Sequence, residues 1–201
     1  MGDLLKKHEV SISPVVKLIN SAFAHFRGLR HSPVLFVASF GLLYGMFFWI
    51  LTGSGPLRVV NQCIHFLTVG QTDFAAKLLN WTGENTKNLG TVLMGSHFSC
   101  DVNDGCNGMS AVTLLLAGLL SFPASSRHRA LGALILIPVV FAVNTIRIGG
   151  LYLAGAHRPE LFNILHVYVG QVIVIMVTAT LWGSWLIWST SGKRQSSSPL
   201  R

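Results

Sequence analysis

The chain has 201 residues, 51% hydrophobic and only 11% charged, with a mean hydropathy of +0.55 and a net charge of +8. Soluble domains carry roughly 25% charged residues, so this composition excludes an ordinary soluble protein and indicates a polytopic membrane protein. The positive charge does not point to nucleic acid, because it clusters on alternate connections between apolar segments: Lys6, Lys7, Lys17, Arg27 and Arg30, then Arg127 and Arg129, then Lys193, Arg194 and Arg201.

Residues 1–32 are basic and partly amphipathic, with Val15, Val16, Ile19, Phe23 and Phe26 spaced for one helical face. They read as a cytoplasmic segment on the membrane surface, with a solvated tail as the alternative. The apolar run after them starts too late for an ordinary cleaved signal peptide. A first span is predicted over Pro33–Leu51, ending at the breaker Thr52-Gly53-Ser54-Gly55-Pro56. Leu57–Trp81 is apolar but carries Arg58, Asn61, Gln62, His65, Gln71, Asp73 and Lys77, and reads as one or two amphipathic helices on the outer surface. Counting it as a span would invert the topology after it and put Arg127 and Arg129 outside.

Asn88–Val102 fits a short β-hairpin-like element, and Asp101–Gly108 is a turn-rich approach to the next helix. Further spans are predicted over Met109–Phe122, stopped by Pro123, over Ala130–Leu153, with a kink at Pro138, and over Leu165–Trp188. Trp182, Trp185 and Trp188 fit an interfacial aromatic belt at the inner end of the last. The serine-rich tail, Ser196–Ser198, reads as disordered. The expected fold class is therefore an all-α integral membrane protein with about four transmembrane helices, an external amphipathic segment and a short β-hairpin-like element. The expected division is a cytoplasmic N-terminal segment (1–32), a transmembrane domain (33–188) and a cytoplasmic tail (189–201). Both termini are then cytoplasmic. The outer segments carry Asp73, Glu84, Asp101, Asp104 and Glu160, five of the seven acids.

Three polar residues fall at one face of this arrangement. The hairpin between the second and third spans turns between Ser126 and Arg127, and Cys106 and Arg147 each lie about twenty residues from that point. At ~1.5 Å per residue they reach similar heights, and His166 begins the last span from the same side. Cys106 precedes a helix N-terminus, whose dipole favours a thiolate, and Gly105 and Gly108 allow close approach of a substrate. Arg147 shares a helical face with Asn144 and could stabilise an oxyanion; charge in an apolar helix faces protein or a cavity. His166 can move a proton near neutral pH, and Gly170, one turn on, leaves room for a neighbouring helix. His157, His97 and His65 compete for that role. Each residue alone has an ordinary alternative: a structural cysteine, an arginine reaching the headgroups, an interfacial histidine.

The three cysteines, Cys63, Cys100 and Cys106, leave at least one unpaired within the chain, and a Cys63–Cys100 disulfide stays open. There is no C-x-x-C and no closely spaced His/Cys set, so no structural zinc site is expected. Two other functions fit a polytopic chain: a transporter or assembly scaffold, and thiol–disulfide exchange between Cys100 and Cys106, which their five-residue gap disfavours.

Cys106-Asn107-Gly108, Asn144-Thr145-Ile146-Arg147-Ile148 and His166 with Gly170 together resemble the exosortase/archaeosortase family of membrane-embedded cysteine transpeptidases. The resemblance covers residues 33–188, its specific part is 92–171, and the short length is similar to the compact exosortase H type. Asn107 departs from the Ser, Thr or Ala that many members carry, which bears on substrate-side contacts rather than on the nucleophile. The resemblance implies a bacterial inner-membrane enzyme with its site facing the periplasm. Its substrates would be exported proteins ending in a short motif, a transmembrane helix and a basic tail. It implies Cys106 as nucleophile, Arg147 as oxyanion partner, His166 as proton carrier and a thioester passed to an acceptor, water or another nucleophile. Membrane lipids surround the chain, and the chemistry calls for neither metal nor organic cofactor.

Overall fold

The computed structural model describes residues 33–52, 57–102 and 105–195. The N-terminal amphipathic segment and the serine-rich tail lie outside these residues. Helix α1 (Pro33–Leu51) is followed by α2 (Arg58–Trp81), three short strands β1 (Lys87–Leu89), β2 (Val92–Met94) and β3 (Ser99–Asp101), and α3 (Met109–Ser121). Next come α4 (Ser126–His157), the short α5 (Pro159–Ile164), a π-helical turn over Leu165–Val169, and α6 (Gly170–Gln195).

Among the described residues three segments are long and apolar enough to cross a membrane: Pro33–Leu51, Ser126–His157 and Pro159–Thr190. The chain is an all-α membrane protein with a small antiparallel sheet, as its composition implies. The predicted span at Met109–Phe122 is the exception in length. Gly108 adopts a left-handed conformation (φ +79°) and stays outside the helix, and Phe122, extended before Pro123, closes it after 13 residues. That is ~20 Å of helix, short of the ~30 Å apolar layer. The neighbouring α4 is longer at both ends than Ala130–Leu153. It starts at Ser125, whose Oγ accepts the His128 N–H, runs through Pro138, and ends where Arg158 is pushed out of the helical region by Pro159. The last helix continues past Trp188 to Gln195.

Within Leu57–Trp81 a single amphipathic helix forms, Arg58–Trp81, and it is not among the three segments apolar enough to span. Its buried face (Thr68, Gln71, Thr72, Ala75, Ala76, Leu79) packs on α4 and the sheet. The β-hairpin expected over 88–102 is present and gains a third strand, in the order β1-β2-β3. Gly90 (φ +67°) leads the two-residue turn between Leu89 and Val92, as a twisted hairpin requires.

Side-chain contacts define two ends of the bundle. At one, Phe36 of α1 stacks on Trp182 of α6 (6.3 Å), Trp182 covers Gly118 of α3, and Trp185 covers Gly132 of α4. At the other, Asn144 and Arg147 of α4 meet the turns that open α3 and α6. So α1 and α4 lead away from the tryptophan end, and α3 and α6 return to it. Helix α2 stays at the far end, where Gln71 bonds Asn144 and, just after the helix, Glu84 bonds His157. Each end has its own core: Leu93, Val102, Ile148 and Tyr152 at one, Leu115, Leu119, Val140 and Trp185 at the other.

The tryptophans do not all form the expected belt. Trp188 is 48% exposed, but Trp185 is 4% exposed, packs edge-on to Phe122 and donates its Nε1–H to His128 O at 2.9 Å. Glycine at 132 removes the side chain that would otherwise occupy the indole's place. Trp185→Ala should therefore cost about 3–5 kcal/mol of stability and Trp188→Ala less than about 1, compared by thermal unfolding in detergent.

Candidate active site

Cys106 is buried, 7% exposed, in the turn before α3. The turn contains two positive-φ glycines, the exposed Gly105 (φ +99°) on one side of the cysteine and Gly108 on the other. Cys106 Sγ lies 3.3 Å from His166 Nδ1 and 3.8 Å from Nε2. Arg147 lies near the thiol as well, close enough for its positive charge to favour the thiolate. The three residues singled out in the sequence are thus brought together, from the turn before α3, from α4 and from the π-helical turn.

The π-helical turn explains how Arg147 and His166 are joined. Gly170 N–H donates to Leu165 O, five residues back, rather than to His166 O, four back. His166 O instead accepts from Arg147 Nη2 at 3.2 Å. Gly170 is buried against the arginine: a Cβ there would sit 2.7 Å from Arg147 Nε and 2.8 Å from Leu165 O. The room expected at Gly170 is therefore filled by the Arg147 side chain. Arg147 Nη1 lies 3.4 Å from Asn144 Oδ1, and its Nε is buried with no hydrogen-bond partner among the described residues.

Asn144 is fully buried, and its Nδ2 donates to Cys106 O (2.7 Å) and to Gln71 Oε1 (3.0 Å). Gln71 Nε2 donates to Asn107 O at 2.9 Å. Gly108 packs on Asn144, with 3.1 Å from the position of a Cβ to the carboxamide carbon. Asn107, at 2% exposure, turns its Oδ1 to the Met109 N–H (3.1 Å), bonding across the Gly108 N-cap of α3. The residue that departs from the family pattern thus supports the turn from inside instead of lining its open side.

An aromatic chain supports the histidine. Phe162 stacks parallel on the imidazole (5.5 Å, 8°), Phe98 of the β2–β3 turn meets Phe162 edge-on (5.3 Å), and Tyr152 meets Phe98 (5.9 Å). Gly155 admits the Phe98 ring and Gly95 the Tyr152 hydroxyl, since a Cβ at either would overlap them. Gln71 and this aromatic chain were not singled out from sequence; Gln71 is one polar residue among seven in an ambiguous segment, with no spacing to mark it. The competing histidines lie elsewhere: His157 pairs with Glu84 (2.8 Å), and His65 and His97 are exposed.

The thiol's resting state differs from expectation. Burial pushes the Cys106 pKa above the ordinary thiol value and outweighs the neighbouring Arg147, which pulls it down. Helix-terminus stabilisation was expected to favour the thiolate; desolvation in a closed turn favours the neutral thiol. Cys100 is pushed up to about 11, first by burial and then by Cys106. The three cysteines are free: Cys63 is exposed, and Cys100 sits opposite Leu93 in the sheet. Among the described residues no group of three or more His, Cys, Asp or Glu could hold a metal ion.

The fold and this site define a multi-pass helical membrane protein carrying a buried Cys–His contact with an arginine beside it. A family model described as Transmembrane exosortase (Exosortase_EpsH) matches residues 18–183, most of the chain. The chain belongs to the transmembrane exosortase family. No curated protein and no solved structure gave a significant match. Family membership points to a membrane protein-sorting transpeptidase of the cysteine type.

Two outcomes test this geometry. A thiol held above its ordinary pKa is mostly protonated at neutral pH and gains thiolate only as pH rises. Iodoacetamide should therefore modify Cys106 more slowly than exposed Cys63 at pH 7, with a midpoint above the ~8.5 of a free thiol, read by peptide mass spectrometry across pH. Gly170→Ala should lower stability by about 1–3 kcal/mol by crowding Arg147 and Leu165 O, whereas Gly183→Ala, with open space around it, should not. Thermal unfolding compares the two.

Proposed function

We propose that the protein is a cysteine transpeptidase or protease that cleaves C-terminal sorting signals of exported proteins at the outer face of the bacterial inner membrane. The observation that carries this reading is the 3.3 Å approach of Cys106 Sγ to His166 Nδ1. Burial raises the thiol's pKa above its ordinary value, so the nucleophile needs a base at the moment of attack, and the imidazole is within reach to serve.

Cys106 Sγ attacks the scissile carbonyl carbon as its proton passes to His166. The C–S bond forms and the carbonyl π pair moves onto oxygen. Arg147, whose Nε has no partner among the described residues, stabilises that oxyanion. On collapse the C–N bond breaks, and His166 returns its proton to the departing amine. The thioester is then attacked by an acceptor nucleophile, which gives up its proton as the thiol is restored. Water as acceptor makes the reaction proteolysis; any other nucleophile makes it transpeptidation.

Charge supports the orientation. Arg127 and Arg129 lie at the tryptophan end of the bundle, and α6 returns to that end before Lys193 and Arg194. Assigning that end to the cytoplasm agrees with the positive-inside tendency and turns Cys106 outward. The substrate's own helix would lie in the lipid beside the bundle, with its cleavage motif at the Gly105 side of the turn.

Cys106→Ala, Arg147→Ala and His166→Ala should each insert and fold yet lower processing of a co-expressed signal-bearing substrate by at least ~100-fold. Cys63→Ser and Cys100→Ser should process normally. Immunoblotting of the substrate reads all five, and normal processing by Cys106→Ala would refute the proposal.

A further inference from the structure

We propose that Gln71 is a positioning residue for the nucleophile, holding the Cys106-Asn107 turn in register with His166 and making α2 a wall of the active site. This rests on the reading of Cys106 as the nucleophile.

The Asn107 side chain supports the turn from inside, and the turn's own carbonyls are held from other helices. Gly105 and Gly108 both adopt positive φ, and glycine gives the backbone more freedom than any other residue. Between them lie two consecutive carbonyls, Cys106 O and Asn107 O, in a buried stretch of chain. Each is held by a side chain from a different helix: Cys106 O by Asn144 of α4, Asn107 O by Gln71 of α2. The two carboxamides also bond each other. The result is a closed ring of donors and acceptors running through both helices and the turn.

Gln71 also sets which way Asn144 faces. Its Oε1 takes one Nδ2 hydrogen while Cys106 O takes the other, so Asn144 Oδ1 is left facing Arg147 Nη1. A reversed Asn144 amide would set oxygen against the Cys106 carbonyl and hydrogens against the guanidinium. Only a side chain with both a donor and an acceptor meets the two demands on Gln71. Glutamate keeps the acceptor and loses the donor to Asn107 O, and methionine loses both at similar size. Thr68 and Thr72, buried on the same helix face, return their hydroxyls to their own helix at Ile64 O and Thr68 O and brace nothing across the interface.

The test measures how far Cys106 depends on His166, with and without Gln71, and needs no substrate. The full chain in detergent is treated with iodoacetamide at neutral pH, and modification of Cys106 is followed by peptide mass spectrometry. In the parent, His166→Ala should slow Cys106 modification about tenfold, because the base in contact with the thiol is gone. In a Gln71→Met background the same His166→Ala change should alter the rate by less than about twofold. Gln71→Glu should show the same loss of dependence, and it decides the matter where Gln71→Met does not fold. A tenfold dependence that survives in these backgrounds overturns the proposal and leaves Gln71 a packing residue. So does a parent rate indifferent to His166, since there would be no pairing to maintain. Failure of the functional reading looks different: Cys106→Ala would process substrate normally, whatever the alkylation rates show.

Discussion

A backbone that leaves its helix inside an apolar surround must find hydrogen-bond partners there, and this requirement shapes the site. The carbonyls of Cys106 and Asn107 lie outside the helical ladder, in the buried stretch of the turn that follows the exposed Gly105. An unpaired buried carbonyl costs about 1–3 kcal/mol, so two in succession would not persist without donors. Asn144 and Gln71 supply them, and doing so places a residue of α4 and a residue of α2 against the same turn. The cysteine's position follows from how its neighbours' backbone is satisfied.

The same logic operates at His166. A π-helical turn releases one carbonyl from the helix, and Arg147 takes it up. One residue thereby serves twice, with its ring at the thiol and its carbonyl on the guanidinium. Small residues make these close approaches feasible: Gly170 beside Arg147, Gly108 beside Asn144, Gly155 beneath Phe98. At the far end of the bundle Gly118 and Gly132 lie under Trp182 and Trp185. At Gly118, Gly132, Gly155 and Gly170 a helix glycine marks where another chain segment comes close, whereas Gly183 faces open space.

Much of the fold was legible because apolar runs and breakers carry strong signals. The end of the first helix at Leu51 was placed, and Pro123 marks a real stop. That Cys106, Arg147 and His166 lie together was legible from polar character at matched depth, a strong signal in an apolar chain. What escaped was set by tertiary contact. Gln71 looked like one more polar residue on a surface helix, because the partner that gives it meaning lies 73 residues away. Trp185 looked interfacial because composition does not reveal the glycine opposite it. The π-helical turn is a register shift of one hydrogen bond, invisible to periodicity. The Cys106 thiol was read from its place before a helix, while its protonation is governed by burial, which a sequence does not report.

The central claim is that Cys106 forms a covalent acyl-enzyme. It is met most directly by intact-protein and peptide mass spectrometry on the full chain isolated with a co-expressed signal-bearing substrate. The account predicts an adduct on Cys106 equal in mass to the substrate up to its cleavage site, released by hydroxylamine as a thioester should be. Substrate processed with Cys106 never acylated, or acylated instead at Cys63 or Cys100, would contradict it.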